Sequence, residues 1–274
     1  KFQFNRFAGS VQQEHPNREH AKTKKKQKKM AQILNEDTLK YAIGTYTVLL
    51  VSYVIPCLIF EVIDRSKFLQ SYLIQPKKVE TNFKLRKTAI RMAALNFGWL
   101  PIALYLGTPI LKRLIPSEGH IDTLPFLGMI AASFLIDDFC FYVYHRILHE
   151  IPALYKPFHK PHHMFTAPFA WTSHAVHPVE MMLQSIGAMI GPALVFHMPL
   201  RYFWTWLAIR QLQGVLDHTG YEFPYDPLAI VPGVGGTKFH DDHHKYFTKN
   251  YASCFSFIDD IFGTRYVERR KVKK

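Results

Sequence analysis

LPFLGMIAASFLIDDFCFYVYHRILHE, residues 124–150, begins as an uncharged apolar run and ends on two histidines, His145 and His149, four positions apart. An α-helix turns once in about 3.6 residues, so this spacing puts both imidazoles on one face, where both rings can reach a single cation. Asp138 and Tyr142 fall on the same face, with steps of 4, 3 and 4 from Asp138 to His149. They are expected to support the ligands: a carboxylate at Asp138 would accept the second ring N–H of a ligating histidine and fix its tautomer. The stretch thus joins a membrane-type helix to a metal-type motif.

Ten residues beyond His149, PFHKPHHMF supplies His159, His162 and His163, and KFHDDHHKYF repeats the H-x-x-H-H spacing with His240, His243 and His244. Packing gives no reason to crowd histidine in a chain that is 48% hydrophobic. In a helical turn the i and i+3 rings are expected to share a face while the adjacent ring turns aside by about 100°, so one box can touch two metals. Eight imidazoles are too many for one tetrahedral zinc, and two metals sharing them is the economical reading. HExxH is absent, since HEIPA offers no second histidine, and so are the paired Glu-x-x-His motifs of soluble di-iron bundles. Imidazole suits iron, copper, zinc and nickel, which leaves the metal open. His177 in HAVHPVE and His218 in LDHTGYEFP are expected to complete the metal shells. His174 and Asp217 are expected as hydrogen-bonding neighbours of the ligands, and Asp241 and Asp242 as supporting or solvent-facing groups. His197 reads as interfacial, and His15, His20 and His120 as incidental.

The apolar residues come in blocks. Residues 41–60, YAIGTYTVLLVSYVIPCLIF, are uncharged over a length that spans a hydrocarbon layer. The block at 92–111 is interrupted by Gly98, Pro101, Gly107 and Pro109; further blocks follow at 124–145, 178–200 and 201–218. The Met198–Pro199 corner predicts a helical hairpin that returns His218 to the side of His159 and His177. Three full crossings before His145 would set the basic N-terminal tail and the histidines on opposite faces. One of the first three blocks, the Gly/Pro-broken second or the Asp-containing third, is therefore expected not to cross. No strand alternation is evident, and the fold class is all-α: an integral-membrane helical bundle with a histidine-rich helical cap holding a di-metal site.

The net charge of +13 sits largely in KTKKKQKK and RRKVKK, solvated tails rather than a basic face interleaved with aromatics, which argues against nucleic acid. Three scattered cysteines indicate neither a disulfide framework nor a zinc ribbon. Residues 1–40 read as a basic, extraneous or disordered tail, 41–123 as an N-terminal membrane region, 124–266 as the catalytic domain with a hairpin at 178–217, and 267–274 as a basic tail.

The boxes HRILH, HKPHH and HDDHH, in that order, together with FYVYHRILHE, YKPFHKPHH, HPVE, DHTGYEFP and NYAS, resemble the integral-membrane fatty acid hydroxylase and sterol desaturase superfamily over about residues 130–266. APFAWTSHAVHPVE and DHTGYEFPY look most like the sterol C-4 methyl oxidase branch, with His174 standing where that branch carries an aromatic residue. The resemblance implies a non-haem di-iron centre in a cap on the cytosolic face of the endoplasmic reticulum. It implies His145, His149, His159, His162, His163, His240, His243 and His244 as iron ligands, His177 and His218 as additional ones, and Asn250 as a hydrogen-bonding neighbour. O2 would be the co-substrate, and electrons would come from NAD(P)H through a reductase and cytochrome b5. A membrane sterol or acyl lipid would enter from the bilayer past the aromatics near FAW and FWTWL, unless these form only an interfacial belt. Hydroxylation and desaturation are not separable from the boxes. A fatty-acyl, sphingoid or alkylglycerol substrate remains the alternative within this chemistry. A membrane metal transporter or sensor is the alternative outside it and would carry its ligands within the spans.

Overall fold

Long uncharged runs satisfy their backbone polar groups in lipid only as helices or closed barrels, and the runs here carry no alternation of the barrel kind. A computed structural model describes residues 22–25, 36–76, 83–224 and 231–267; most of the two basic tails lies outside them. Three long helices open the chain: α1 (Glu36–Ser66), α2 (Phe83–Leu114) and α3 (Thr123–Glu150), of 31, 32 and 28 residues. At 1.5 Å per residue each is over about 40 Å long, enough to cross a hydrocarbon core of about 30 Å. The hairpin follows as α4 (Pro178–Phe196) and α5 (Leu200–Asp217), joined through His197, which is left-handed at φ 45°. Helices α1 to α4 are long and apolar enough to cross a membrane. Among the described residues there is no strand, only the isolated bridges Leu73–Tyr221 and Val234–Phe255.

The break expected in the second block is not found. Helix α2 runs unbroken through Pro101 and Pro109, as membrane helices can when neighbours pack around the lost hydrogen bonds. Nor does α3 stop at its aspartates, because Asp137 pairs with Arg210 of α5 inside the bundle. The first three helices therefore run antiparallel over their full length. At one end Tyr41 Oη donates to Ile115 O at 2.5 Å and Lys40 pairs with Glu118 at 2.7 Å. At the other, Arg86 joins Glu61 and Asp64 at 2.6 and 2.5 Å, and Tyr221 Oη donates to Asp64 at 2.7 Å. Three passes leave the start of α1 and the histidines at opposite ends.

The bundle core gathers Tyr53, Phe97, Leu104, Phe203, Trp206 and Leu207. Outward, Leu95, Ile102, Leu106 and Ile110 of α2 are 70, 63, 71 and 58% exposed, an apolar stripe suited to lipid. Gly187, in the π turn Ile186–Ile190, lets α4 approach α3: a Cβ there would stand 2.6 Å from Asp137 Oδ1. Above the bundle, the cap consists of a π turn (Tyr155–His159), 3-10 turns at His162–Met164 and Ala170–His174, α6 (Gly236–Tyr246) and α7 (Ser256–Ile261). Its own small core is Tyr142, Phe239, Tyr251, Ala252 and Ile258.

Candidate metal centre

A histidine aims one ring nitrogen inward most firmly when the other is held from outside, and three of the clustered rings are held so. His145 and His149 stand on the last two turns of α3, at the membrane end of the cap. His145 Nδ1 lies 2.6 Å from Tyr251 O, His243 Nδ1 2.7 Å from Lys249 O, and His218 Nδ1 2.8 Å from Gly214 O. A carbonyl only accepts, so each Nδ1 carries the proton and each Nε2 presents its lone pair. His159 has no such carbonyl: its Nδ1 lies 2.9 Å from Oε2 of the buried Glu180, a close approach without the alignment of a hydrogen bond.

The lone pairs converge in two groups. His145, His149, His159, His163 and His243 form one, and His162, His218, His240 and His244 the other, with the nitrogens of each within 4.8 Å of one another. Neighbouring Nε2 atoms stand 3.1 Å apart for His145 and His159, 2.8 Å for His149 and His159, and 3.0 Å for His159 and His163. In the second group the distances are 3.0 Å for His218 and His240 and 3.2 Å for His240 and His244. Two nitrogens about 2.1 Å from one cation, at angles between a right angle and the tetrahedral one, lie about 3.0–3.4 Å apart. Facing lone pairs at such distances repel without a cation or proton between them. Burial also keeps the rings neutral: the pKa falls to about 3 for His159 and His243 and about 4 for His162, and lies well below the ordinary 6.5 for His163, His218, His240 and His244. The donor set fits two borderline transition-metal ions.

Each H-x-x-H-H box does reach both groups, but not by the expected division. His159 and His163 share one group while His162 joins the other; His240 and His244 share a group while His243 crosses over. On α6 the i,i+4 rings stay together because four residues overshoot one turn by only about 40°, whereas three fall about 60° short; the first box reaches the same pairing through a π and a 3-10 turn.

His177 belongs to neither group. It is the N-cap of α4, its Nδ1 accepting the Val179 N–H at 3.2 Å, with its ring against Phe158. Asp138 meets no ligating ring: its carboxylate accepts the backbone N–H groups of Ser253, Cys254 and Phe255 at 2.6, 3.0 and 2.6 Å. It thereby fixes the loop whose Tyr251 carbonyl holds His145. Tyr142 packs in the cap core, its hydroxyl 3.1 Å from Thr264 Oγ1 and accepting from Arg146 at 2.9 Å. Asp217 accepts from Gln213 of its own helix. Asn250, at φ 57°, donates to Phe239 O at 3.0 Å and accepts the Tyr266 N–H at 2.7 Å, acting through the loop rather than on a ring. Asp241 accepts from Gln75 and so ties the cap to the α1–α2 connection, while Asp242 pairs with Lys238 within α6.

Glu180 was not singled out from the sequence. The available signal was an acid three residues after His177, at the start of an apolar helix, where an ionisable group is costly and functional by default.

A cavity leads from the histidines into the bundle, lined among others by Phe97, Phe141, Met181, Leu207, Gln211 and His218. The FAW and FWTWL aromatics do not line it: Phe203 and Trp206 are fully buried in the core, and Trp171 packs against it. They build the wall behind the cavity instead.

A family model described as Fatty acid hydroxylase matches residues 130–264, the span that holds all nine clustered histidines. The chain is 39% identical over 220 residues, 78% of its length and 80% of the relative's, to a Dictyostelium discoideum protein provisionally named a methylsterol monooxygenase. The chain belongs to the fatty acid hydroxylase family. It is 34% identical over 232 residues to methylsterol monooxygenase 1 of Danio rerio, covering 82% of this chain and 79% of that one. It is also 32% identical over 236 residues to the very-long-chain aldehyde decarbonylase GL1-11 of Oryza sativa subsp. indica, covering 81% and 88%. No solved structure matches the chain. Family and relatives make this chain an oxidoreductase, a membrane oxygenase of lipids or sterols, and set aside the transporter or sensor alternative.

Proposed function

We propose that this chain is a di-iron monooxygenase that oxidises the C-4 methyl group of a sterol. The observation that carries the reading is the pair of neutral, buried imidazole groups at the mouth of an apolar cavity on the membrane end of the cap. Iron bound there would supply O2 activation strong enough to break an unactivated C–H bond. One oxygen atom enters the methyl group and the other leaves as water; two electrons come from NAD(P)H through the reductase and cytochrome b5, and two protons come from the solvent.

The chain's own residues do the rest. The clustered histidines hold both ions without adding negative charge. Tyr251 O, Lys249 O and Gly214 O hold three of the rings in orientation, and Glu180 lies against a fourth, His159. Phe141, Met181 and Leu207 keep water from the reacting carbon, and the α4–α5 hairpin seats the lipid with one end toward the histidines.

In this reading the cap faces the cytosol of the endoplasmic reticulum. Lys67, Lys84 and Lys87 flank α1 and α2 at the histidine end, in keeping with the cytosolic bias of short basic loops. The lysines of residues 22–29 lead toward the opposite end and weigh the other way.

Metal analysis of the purified protein should find two irons per chain, and product analysis under O2 should find an oxidised 4-methyl group on a 4-methylsterol. One zinc, or no bound metal with the boxes intact, contradicts the di-iron reading. The rice relative's name favours a second reading, a very-long-chain acyl or aldehyde substrate. Conversion of those lipids alone would remove the sterol and keep the metal chemistry.

A further inference from the structure

The cavity wall carries polar groups outside the two histidine groups, Gln184, Ser185 and Arg210 among them, and one pair of these stands side by side. His174, at the end of the Ala170–His174 turn, lines the cavity beside Gln211 of α5. Its ring is clamped by aromatics, stacked on Phe97 with centroids 5.4 Å apart and tilted against Tyr53 at 4.8 Å. Its backbone carbonyl is fixed as well, accepting from Asn96 at 3.0 Å. The plane of the ring is therefore set.

Burial holds this imidazole neutral, with its pKa lowered to about 4, so it offers one N–H donor and one acceptor. The polar side-chain atom beside its two nitrogens is Gln211 Nε2, at 3.4 Å from Nδ1 and 3.3 Å from Nε2. An amide nitrogen donates only, so it can serve the ring's acceptor and not its N–H. The equal, long distances leave even that bond poorly aligned. The ring N–H of this half-buried histidine, turned to the cavity, has no acceptor in the wall beside it, and a ligand oxygen would supply one.

We propose that His174 and Gln211 recognise a hydroxyl group on an otherwise apolar lipid, the His174 N–H donating to its oxygen. Gln211 lies seven residues before His218 on the same helix, with Gly214 between them also lining the cavity. Two turns span about 10 Å, so the hydroxyl binds within reach of the carbon presented to the histidines. The inference deepens the sterol reading and rests on it for the identity of the lipid: a sterol carries its hydroxyl on the carbon next to C-4. Leu49, Phe97, Leu100 and Met189 would enclose the rest of the molecule.

The test is equilibrium binding to the full chain in lipid nanodiscs with two pairs of probes. One pair is a 4-methylsterol and its 3-deoxy counterpart; the other is a long-chain alcohol and the alkane of equal length. One net hydrogen bond predicts that the hydroxylated member of at least one pair binds roughly three- to tenfold more tightly. His174→Phe, which keeps the aromatic clamp, and Gln211→Leu should each bring that ratio close to one. No hydroxyl preference in either pair, or a preference that survives both variants, overturns the proposal. A 4-methylsterol that is never oxidised, with the preference present in the alcohol pair, would remove the sterol reading and leave this one standing.

Discussion

Asn250 shows how a residue that touches no histidine can set two of them. Its left-handed backbone turns the chain so that the carbonyls on either side, Lys249 O and Tyr251 O, face His243 and His145 of the same group. Asparagine is among the few side chains that accept this conformation, and here its amide also makes two buried hydrogen bonds. Asn250→Ala loses both and adds backbone strain. It should lower stability by about 2 kcal/mol and reduce bound metal, read by thermal unfolding with metal analysis; Asn250→Gly removes the strain alone and should lie between. Glu180→Leu keeps the bulk beside His159 and removes the carboxyl oxygen that faces it. It should weaken metal binding about tenfold or more, measured by competition with a chelator, while the fold is retained. Histidines were legible at this scale because no packing role explains them. Backbone carbonyls were not, because every residue carries one.

Between elements, Asp138 is the tie that matters most. It reaches from α3 to three successive N–H groups of the 253–255 loop, which a sequence pattern on α3 alone reads as a helix-face neighbour of His145. The face was right and the partner was not, since a side chain on that face meets whatever the tertiary fold lays against it. Asp138→Ala leaves three buried donors unsatisfied and should cost at least about 3 kcal/mol, with loss of metal, because the Tyr251 carbonyl loses its anchor. Unfolding and metal content measured on the same preparation would show both losses together. The H-x-x-H-H boxes carry a similar lesson: their spacing dictates that rings split between two centres, and the side-chain angle about the helix decides which rings pair.

On the scale of the molecule, the odd number of long helices that ends on the first box separates the start of α1 from the clustered histidines. Cysteines introduced singly at Glu118 and Lys156, in a background lacking the native three, should react with a membrane-impermeant maleimide from opposite faces of sealed vesicles. Labelling of both from one face would contradict three complete crossings. Acid should act on the whole molecule through the neutral imidazoles. His159, His162 and His243 titrate near 3, 4 and 3 when folded, against the ordinary 6.5. Below pH 6.5 the unfolded chain takes up protons that the folded, metal-free protein refuses. Stability should therefore fall as pH drops from about 6.5 toward 4, by at most about 1.4 kcal/mol per pH unit per histidine, as a series of thermal melts would show. A melting temperature constant across that window would contradict the neutral assignment. The sequence by itself determined the helical class, the hairpin and the eight box histidines with His218, because apolar length, a proline corner and crowded imidazoles are properties of the chain read in order. Only the tertiary structure decided that α2 and α3 run unbroken, that His177 caps a helix, that three carbonyls hold clustered rings and that Glu180 lies against His159. Those outcomes depend on which groups meet across the bundle, and contacts between distant segments leave no pattern within either one.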